Sequence, residues 1–235
     1  REALEQPERR VALVTPDRGL SARVVSHLLR WGIVADDTAG RPLPQTAAGR
    51  IALLLCEVMA EDAAPVPLVA LLTHPQAKAG FSRADWLDSA RRLELALRGP
   101  RPGPGLAPLR AIAEERGIAD WWGQAEAILA PLCAPGGEQP LAVLLDRLTT
   151  AAEALCGVEL WSNADGRALS AFVEELRDAA RDAGTVLDPR ELHAVLRDAM
   201  GEVHHAAYLM HKRGEAAAMA GLDEAAQCAR YAATY

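Results

Sequence analysis

The sequence predicts a short α/β start followed by a mainly α-helical body. Residues 11–15, Val-Ala-Leu-Val-Thr, form a continuous apolar run that ends at Pro16, as expected for a buried strand of a parallel sheet. Residues 20–31 repeat apolar side chains at helical spacing, and the apolar residues 33–35 begin a second strand after Gly32. This strand-helix-strand order predicts a βαβ unit with a right-handed crossover.

Everything after residue 42 is predicted to be helical, because Ala and Leu supply most of the apolar residues and both favour helix. Ser82 and Asp188 stand where helix N-caps are expected. Stretches rich in Pro and Gly predict linkers at residues 99–105 and 134–137. The predicted helices cover residues 46–60, 65–72, 83–97, 106–116, 118–132, 141–155, 166–183 and 189–200.

The composition limits the classes of protein to which this chain can belong. Half of the 235 residues are apolar, which supports a buried core, and the net charge of −7 argues against strong nucleic-acid binding by this stretch alone. No two of the four cysteines are close enough for a zinc or iron–sulfur motif, so we expect buried free thiols in a reducing cytosol. No apolar run is long enough to cross a membrane, and no signal peptide precedes the first strand, so a cytoplasmic location is expected. The chain begins with Arg rather than Met, as a fragment would.

The turn after the first predicted strand is the first candidate site. No phosphate-binding glycine motif is present, and no cofactor is expected. In an α/β layer, however, the carboxyl ends of the strands face the ligand crevice, so Arg18 and Arg23 are candidates for contact with a nucleotide or DNA phosphate. The alternative is that Asp17 caps the following helix and both arginines are solvated.

The second candidate site is a metal site near the end of the sequence. Glu202 and His205 have the Glu-x-x-His spacing used by helical di-metal sites, and His211 and Glu215 follow at helical spacing. Such a site needs a second Glu-x-x-His pair, which the sequence lacks. A polar helix face is the competing interpretation.

The remaining motifs favour a structural role over a binding or catalytic one. Trp121 and Trp122 are flanked by Asp120 and by no basic residue, so core packing is favoured over base stacking. The paired glutamates at 114–115 and 174–175 are expected to be solvated surface. No catalytic motif for nucleophilic or metal-assisted hydrolysis is present, so local chemistry predicts no enzyme activity in this chain.

A string of linked segments resembles AddB proteins of the alphaproteobacterial type. The resemblance extends from about residue 1 to residue 203, and no single segment is diagnostic. It is carried by residues 1–5, 10–18, 22–25, 29–33, 36–43, 65–72, His74–Pro75, 91–94 and 97–102.

This resemblance implies a superfamily 1 helicase whose motor has decayed, joined to a nuclease domain in the intact subunit, with AddA and DNA as partners. Residues 1–42 would be a partial α/β domain at the start of the second motor domain, 43–203 its helical insertion, and 204–235 a divergent helical tail. Thr15–Pro16 stands where active helicases carry an arginine, and the nuclease motif is absent. The parent complex would be an ATP-dependent helicase and exonuclease involved in double-strand break repair and recombination, and this chain a non-catalytic piece of it.

Three hypotheses therefore stand. The first is the non-catalytic AddB-like segment, which predicts an incomplete α/β layer with an exposed apolar sheet edge. The second is a stand-alone helical protein-interaction module, which predicts a closed surface. The third is a small metal-binding bundle, which predicts that the acidic and histidine side chains converge.

Overall fold

The computed structural model describes residues 13–33, 35, 42–99, 102–133 and 136–202, with the backbone alone for Arg18 and Glu202. Within these ranges the chain is mainly helical, with one two-stranded ladder. Residues 41–204 form one compact unit, and residues 1–40 belong to another. The α-helices are α1 Arg18–Arg30, α2 Ala47–Ala60, α3 Pro65–Thr73, α4 Arg83–Ala96, α5 Ala107–Glu115, α6 Ala119–Leu129, α7 Leu141–Cys156, α8 Ala164–Ala183 and α9 Leu192–Glu202.

Helix α1 confirms the first predicted helix. Its N-cap is Asp17, whose carboxylate accepts a hydrogen bond from the Leu20 N–H at 3.1 Å, and Gly32 follows its end with φ at 74°. Leu29 and Trp31 are 64% and 65% exposed.

The strands predicted on either side of α1 are wrong wherever the structure describes them. Leu13 to Thr15 are not in a strand, and neither are Ile33 and Ala35, while residues 11, 12 and 34 lie outside the described ranges. Leu13 and Val14 are more than half exposed, at 56% and 57%. An apolar run becomes a buried strand only where neighbouring strands satisfy its backbone, and no sheet forms among residues 13–33 and 35. The predicted βαβ unit and its apolar sheet edge are therefore absent from this part of the chain.

The helical body confirms the predicted order of helices, with ends that differ from the predicted ones by at most three residues. Helix α2 lies at its centre and contacts α3, α7, α8 and α9. Nine of its fourteen residues are buried, as expected of a helix that packs against several neighbours, while Arg50 and Glu57 lie on its more exposed side. Leu192, Leu196 and Met200 of α9 are fully buried. Before α9 the chain makes a 3-10 turn, Pro189–Glu191, so the single helix predicted at 189–200 is divided in two.

Two helices of the body begin in the same way. Leu43 and Leu160 are buried residues of 3-10 turns, and each is followed three residues later by an N-cap, Thr46 or Asn163. Each cap accepts a hydrogen bond from a glycine N–H, Gly49 at 3.0 Å and Gly166 at 2.8 Å. A Cβ at either glycine would overlap the carbonyl of the leucine six residues earlier. Glycine is thus required by close backbone approach at both helix starts.

The ladder corrects the prediction that everything after residue 42 is helical. Gln139–Pro140 pairs antiparallel with Val186–Leu187, and the Leu141 N–H donates to the Thr185 carbonyl at 2.9 Å. Two-residue strands have no sequence periodicity to detect. They form here because α7 and α8 contact each other and bring the two segments together.

The predicted core role of the tryptophan pair is confirmed. Trp121 and Trp122 are 3% and 1% exposed, and Trp86 lies edge-on to Trp121 with ring centroids 5.1 Å apart. The predicted N-caps Ser82 and Asp188 accept hydrogen bonds from the N–H groups of Asp85 and Arg190. Among the helices in the described ranges, none has the length and apolar character that a membrane crossing requires.

Candidate functional site

The junction between α3 and α4 brings a guanidinium group to the end of α3. Helix α3 ends at Thr73, and α4 supplies donors to the carbonyls that its last turn leaves open. Arg83 donates through Nη2 to the Thr73 carbonyl at 2.9 Å and through Nη1 to the Ala77 carbonyl at 2.8 Å. Trp86 donates through Nε1 to the Leu72 carbonyl at 2.8 Å. These bonds fix the Arg83 guanidinium against the end of α3.

His74 is the C-cap of α3 and is only 8% exposed. Its Nδ1 accepts from the Gln76 N–H at 3.4 Å, so the proton of the neutral ring is assigned to Nε2. Burial, together with the positive charges of Arg50 and Arg83, lowers the pKa of His74 from its ordinary value of 6.5 to about 4. At neutral pH the side chain is therefore an uncharged donor.

Arg50, Arg83 and Arg91 together with His74 are called the His74 cluster below. Arg50 comes from the first turn of α2, and Arg83 and Arg91 come from α4. Burial and the nearby Arg91 lower the pKa of Arg83, which shows that the two guanidinium groups repel each other. Arg50 and Arg91 are exposed, and neither makes an ion pair with another residue of the described ranges.

Two exposed arginines elsewhere in the body are paired with glutamates. Arg98 pairs with Glu94 and Arg110 with Glu126, each at 2.8 Å, and the hydrogen bond to the glutamate raises the pKa of each arginine. Unlike those two arginines, Arg50 and Arg91 of the His74 cluster have no carboxylate partner among the described residues, on a chain with net charge −7. Unpaired guanidinium groups favour contact with anions.

A shallow groove lies on α7 and α8. Its cavity volume is about 340 Å³, and Trp161 forms one wall, with Nε1 donating to Glu153 Oε2 at 3.0 Å. Arg177 enters the same groove and pairs with Asp146 at 2.8 Å. Because Trp161 and Arg177 already bind carboxylates, this groove offers fewer donors to a ligand than the His74 cluster does.

The arginines singled out from sequence lie on α1. Arg18 is the first residue of that helix, with its side chain outside the described set, and Arg23 is exposed. Asp17 caps the helix as the alternative interpretation required. The strand end that was expected to aim Arg18 and Arg23 at a phosphate is not formed by residues 13–15, so that argument no longer supports them.

The proposed metal ligands fall largely outside the described residues. Glu202 is the last residue of α9, known by its backbone alone, and His205, His211 and Glu215 lie beyond residue 202. Their convergence stays a prediction. Within the described ranges, no group of three or more His, Cys, Asp or Glu side chains is placed to hold a metal ion.

The cysteines confirm the expected thiol character where they are described. Cys56 and Cys156 are buried, Cys133 is partly buried, and all three are free. Burial raises the pKa of Cys133 to about 11 and of Cys156 to about 12, and that of Cys56 further still. These thiols are protonated at neutral pH and are poor nucleophiles. Cys228 lies outside the described residues.

The His74 cluster was not predicted from sequence as a site. Its members are spread from residue 50 to residue 91 and match no motif, because α2 and α4 bring them together only through their packing on α3. One signal was available: His74 and Arg91 both lie in segments that carry the resemblance to AddB proteins. Comparison with known proteins finds no match among protein families, curated proteins or solved structures.

Proposed function

We propose that this chain is a non-catalytic segment of an AddB-type subunit, an inactivated, helicase-like part of a helicase–nuclease that processes DNA double-strand breaks. In this proposal it contacts the DNA backbone and packs against an AddA-type partner. The observation that carries the proposal is the His74 cluster, whose exposed Arg50 and Arg91 form no ion pair with another residue of the described ranges, on a chain with net charge −7. The linked segments that resemble AddB proteins support it independently, and two of them contain cluster residues.

The cluster fits guidance of DNA rather than tight binding. Each phosphate that a protein neutralises releases counterions. For duplex DNA, the logarithm of the binding constant therefore falls with the logarithm of the salt concentration, with a slope of about 0.9 per phosphate. Three arginines allow only a few such contacts, so we expect weak, salt-sensitive and sequence-independent binding. Contact of this kind positions a backbone without reading bases.

A stand-alone helical interaction module is the second candidate. It is favoured by the closed packing of the body, where large exposed apolar side chains occur singly on different elements and do not form a sheet edge. Examples are Val66 on α3, Leu95 on α4 and Val143 on α7.

Two measurements test the first proposal. The genomic DNA on both sides of this reading frame should encode a helicase-like region upstream, a cysteine-flanked nuclease motif downstream, and an AddA-type gene beside them. The AddA-type protein should co-purify with the chain when both are expressed together, and the pair should bind labelled duplex DNA more tightly at low salt. Unrelated flanking genes together with salt-independent or absent DNA binding would favour the interaction module.

A further inference from the structure

We propose that the groove on α7 and α8 binds an arginine side chain of a partner protein, with the guanidinium group stacked on Trp161 and held by Glu153 and Glu174. These three side chains line one cavity of about 340 Å³. The site is independent of the DNA-guiding proposal, since it uses other residues and takes a ligand of opposite charge.

Three elements bring the groove residues together. Glu153 comes from α7, Glu174 comes from α8, and Trp161 ends the 3-10 turn Val158–Trp161, which contacts both helices. The indole is held in place because Trp161 Nε1 donates to Glu153 Oε2 at 3.0 Å. An aromatic ring that is already fixed loses little conformational freedom when a ligand stacks on it.

The charge of the groove favours a cation. Glu153 and Glu174 are exposed, and neither forms an ion pair with another residue of the described ranges. Arg177 also lines the groove, but it lies 2.8 Å from the Asp146 carboxylate, which offsets its charge. The two glutamates therefore remain as charged acceptors for a ligand.

The ligand class follows from an aromatic ring and two carboxylates in one cavity. A guanidinium group is planar, stacks on aromatic rings and presents several N–H donors to carboxylates, so it uses both kinds of surface at once. A lysine ammonium lacks this planar fork. Val173 adds an apolar patch to the lining, against which the methylene stem of an arginine packs.

The shape of the groove favours a partner protein as the source of the arginine. Small-molecule sites are concave and enclose most of the surface of their ligand, whereas this groove is shallow. A side chain presented by a protein is held by the surrounding interface as well, and arginine is enriched at such interfaces. The net charge of −7 also favours the approach of a basic partner.

The test follows the Trp161 indole N–H signal by NMR while the full chain is titrated with the peptide acetyl-Gly-Arg-Gly-amide. The signal is identified by its absence in Trp161→Phe. The arginine peptide should shift it to saturation, and the same peptide with citrulline, which is neutral and nearly isosteric, should leave it in place. Equal shifts with the two peptides, or no shift with either, would overturn the inference.

Two neighbouring glutamates of α8 provide the matched variants. Glu174→Gln removes a charge from the groove and should weaken binding of the arginine peptide about fivefold, the size of one exposed ion pair. Glu175→Gln removes the same charge from an exposed residue that does not line the groove, and should leave the affinity unchanged. Equal weakening by both would mean that only the overall charge attracts the peptide, and the site would be wrong. Thermal melting checks that each variant is folded.

Methylguanidinium separates a partner arginine from a free small cation. It carries the same charge but lacks the stem and the peptide backbone, so it should bind more weakly than the arginine peptide. Equal or tighter binding of methylguanidinium would overturn the assignment to a partner protein.

Discussion

The two sides of helix α4 perform the same local task with different chemistry. On its apolar side, Trp86 is fully buried and its indole N–H donates to the Leu72 carbonyl. On its arginine side, Arg83 donates to the next carbonyl of α3, that of Thr73. Both satisfy the open end of α3, but the indole contributes burial while the guanidinium adds charge. The apolar side therefore maintains the fold, whereas the arginine side leaves charge available to a ligand.

The largest loss of stability is expected from Trp86→Ala on the apolar side. This change removes a buried ring that packs against Phe81 and Trp121 and leaves the Leu72 carbonyl without its donor. The free energy of unfolding should fall by about 3–5 kcal/mol, measured by urea denaturation. Trp161→Ala, at a partly exposed tryptophan, is the matched control and should cost about half as much or less. Equal losses would contradict the assignment of Trp86 to the core.

The next effect is expected from Arg83→Ala on the arginine side. Two charged hydrogen bonds to carbonyls are lost at a half-buried position, so the free energy of unfolding should fall by about 2–3 kcal/mol. Arg98→Ala removes an exposed arginine that follows the other end of α4 and should change stability far less than Arg83→Ala. A negligible effect of Arg83→Ala would show that the end of α3 does not depend on this guanidinium.

A smaller effect is expected from pH. The pKa of His74 lies at about 4 in the folded chain, below its ordinary value of 6.5, so between these values the unfolded chain binds a proton that the folded chain does not. The contribution of His74 is fully present above pH 6.5 and is lost as the pH falls toward 4. From pH 7 to pH 5 the wild type should lose about 1–2 kcal/mol more than His74→Gln, measured by urea denaturation at each pH. Parallel curves for the two proteins would mean that His74 is not held neutral by its surroundings.

The smallest effect on stability is expected from Arg91→Gln. Arg91 is exposed and pairs with no carboxylate of the described ranges, so the free energy of unfolding should change by about 0.5 kcal/mol or less. A slight gain is in fact expected, since the repulsion from Arg83 is relieved. Thermal melting measures this. A clear loss of stability would show that Arg91 serves the fold and would remove the contrast between the two sides of α4.

Local pattern alone was enough to predict the helices of the body. Segments such as Ala47–Ala60 and Leu141–Cys156 are apolar or amphipathic over several turns, and Ser82 and Asp188 cap helices through hydrogen bonds that span only two or three residues. The core role of Trp121 and Trp122 could be predicted because no basic residue flanks them, as a base-stacking site would require.

The pairing of strands and the composition of the His74 cluster were decided by the tertiary structure alone. An apolar run such as residues 13–15 becomes a strand only if other strands satisfy its backbone, and the ladder at Gln139–Pro140 forms because a distant segment is brought beside it. The His74 cluster depends on the packing of α2 and α4 around α3, which places together residues far apart in the sequence. Helix caps are local hydrogen bonds and can be predicted from the residues around them. Strand pairing and electrostatic sites depend on contacts between distant residues, so they could be identified only in the folded chain.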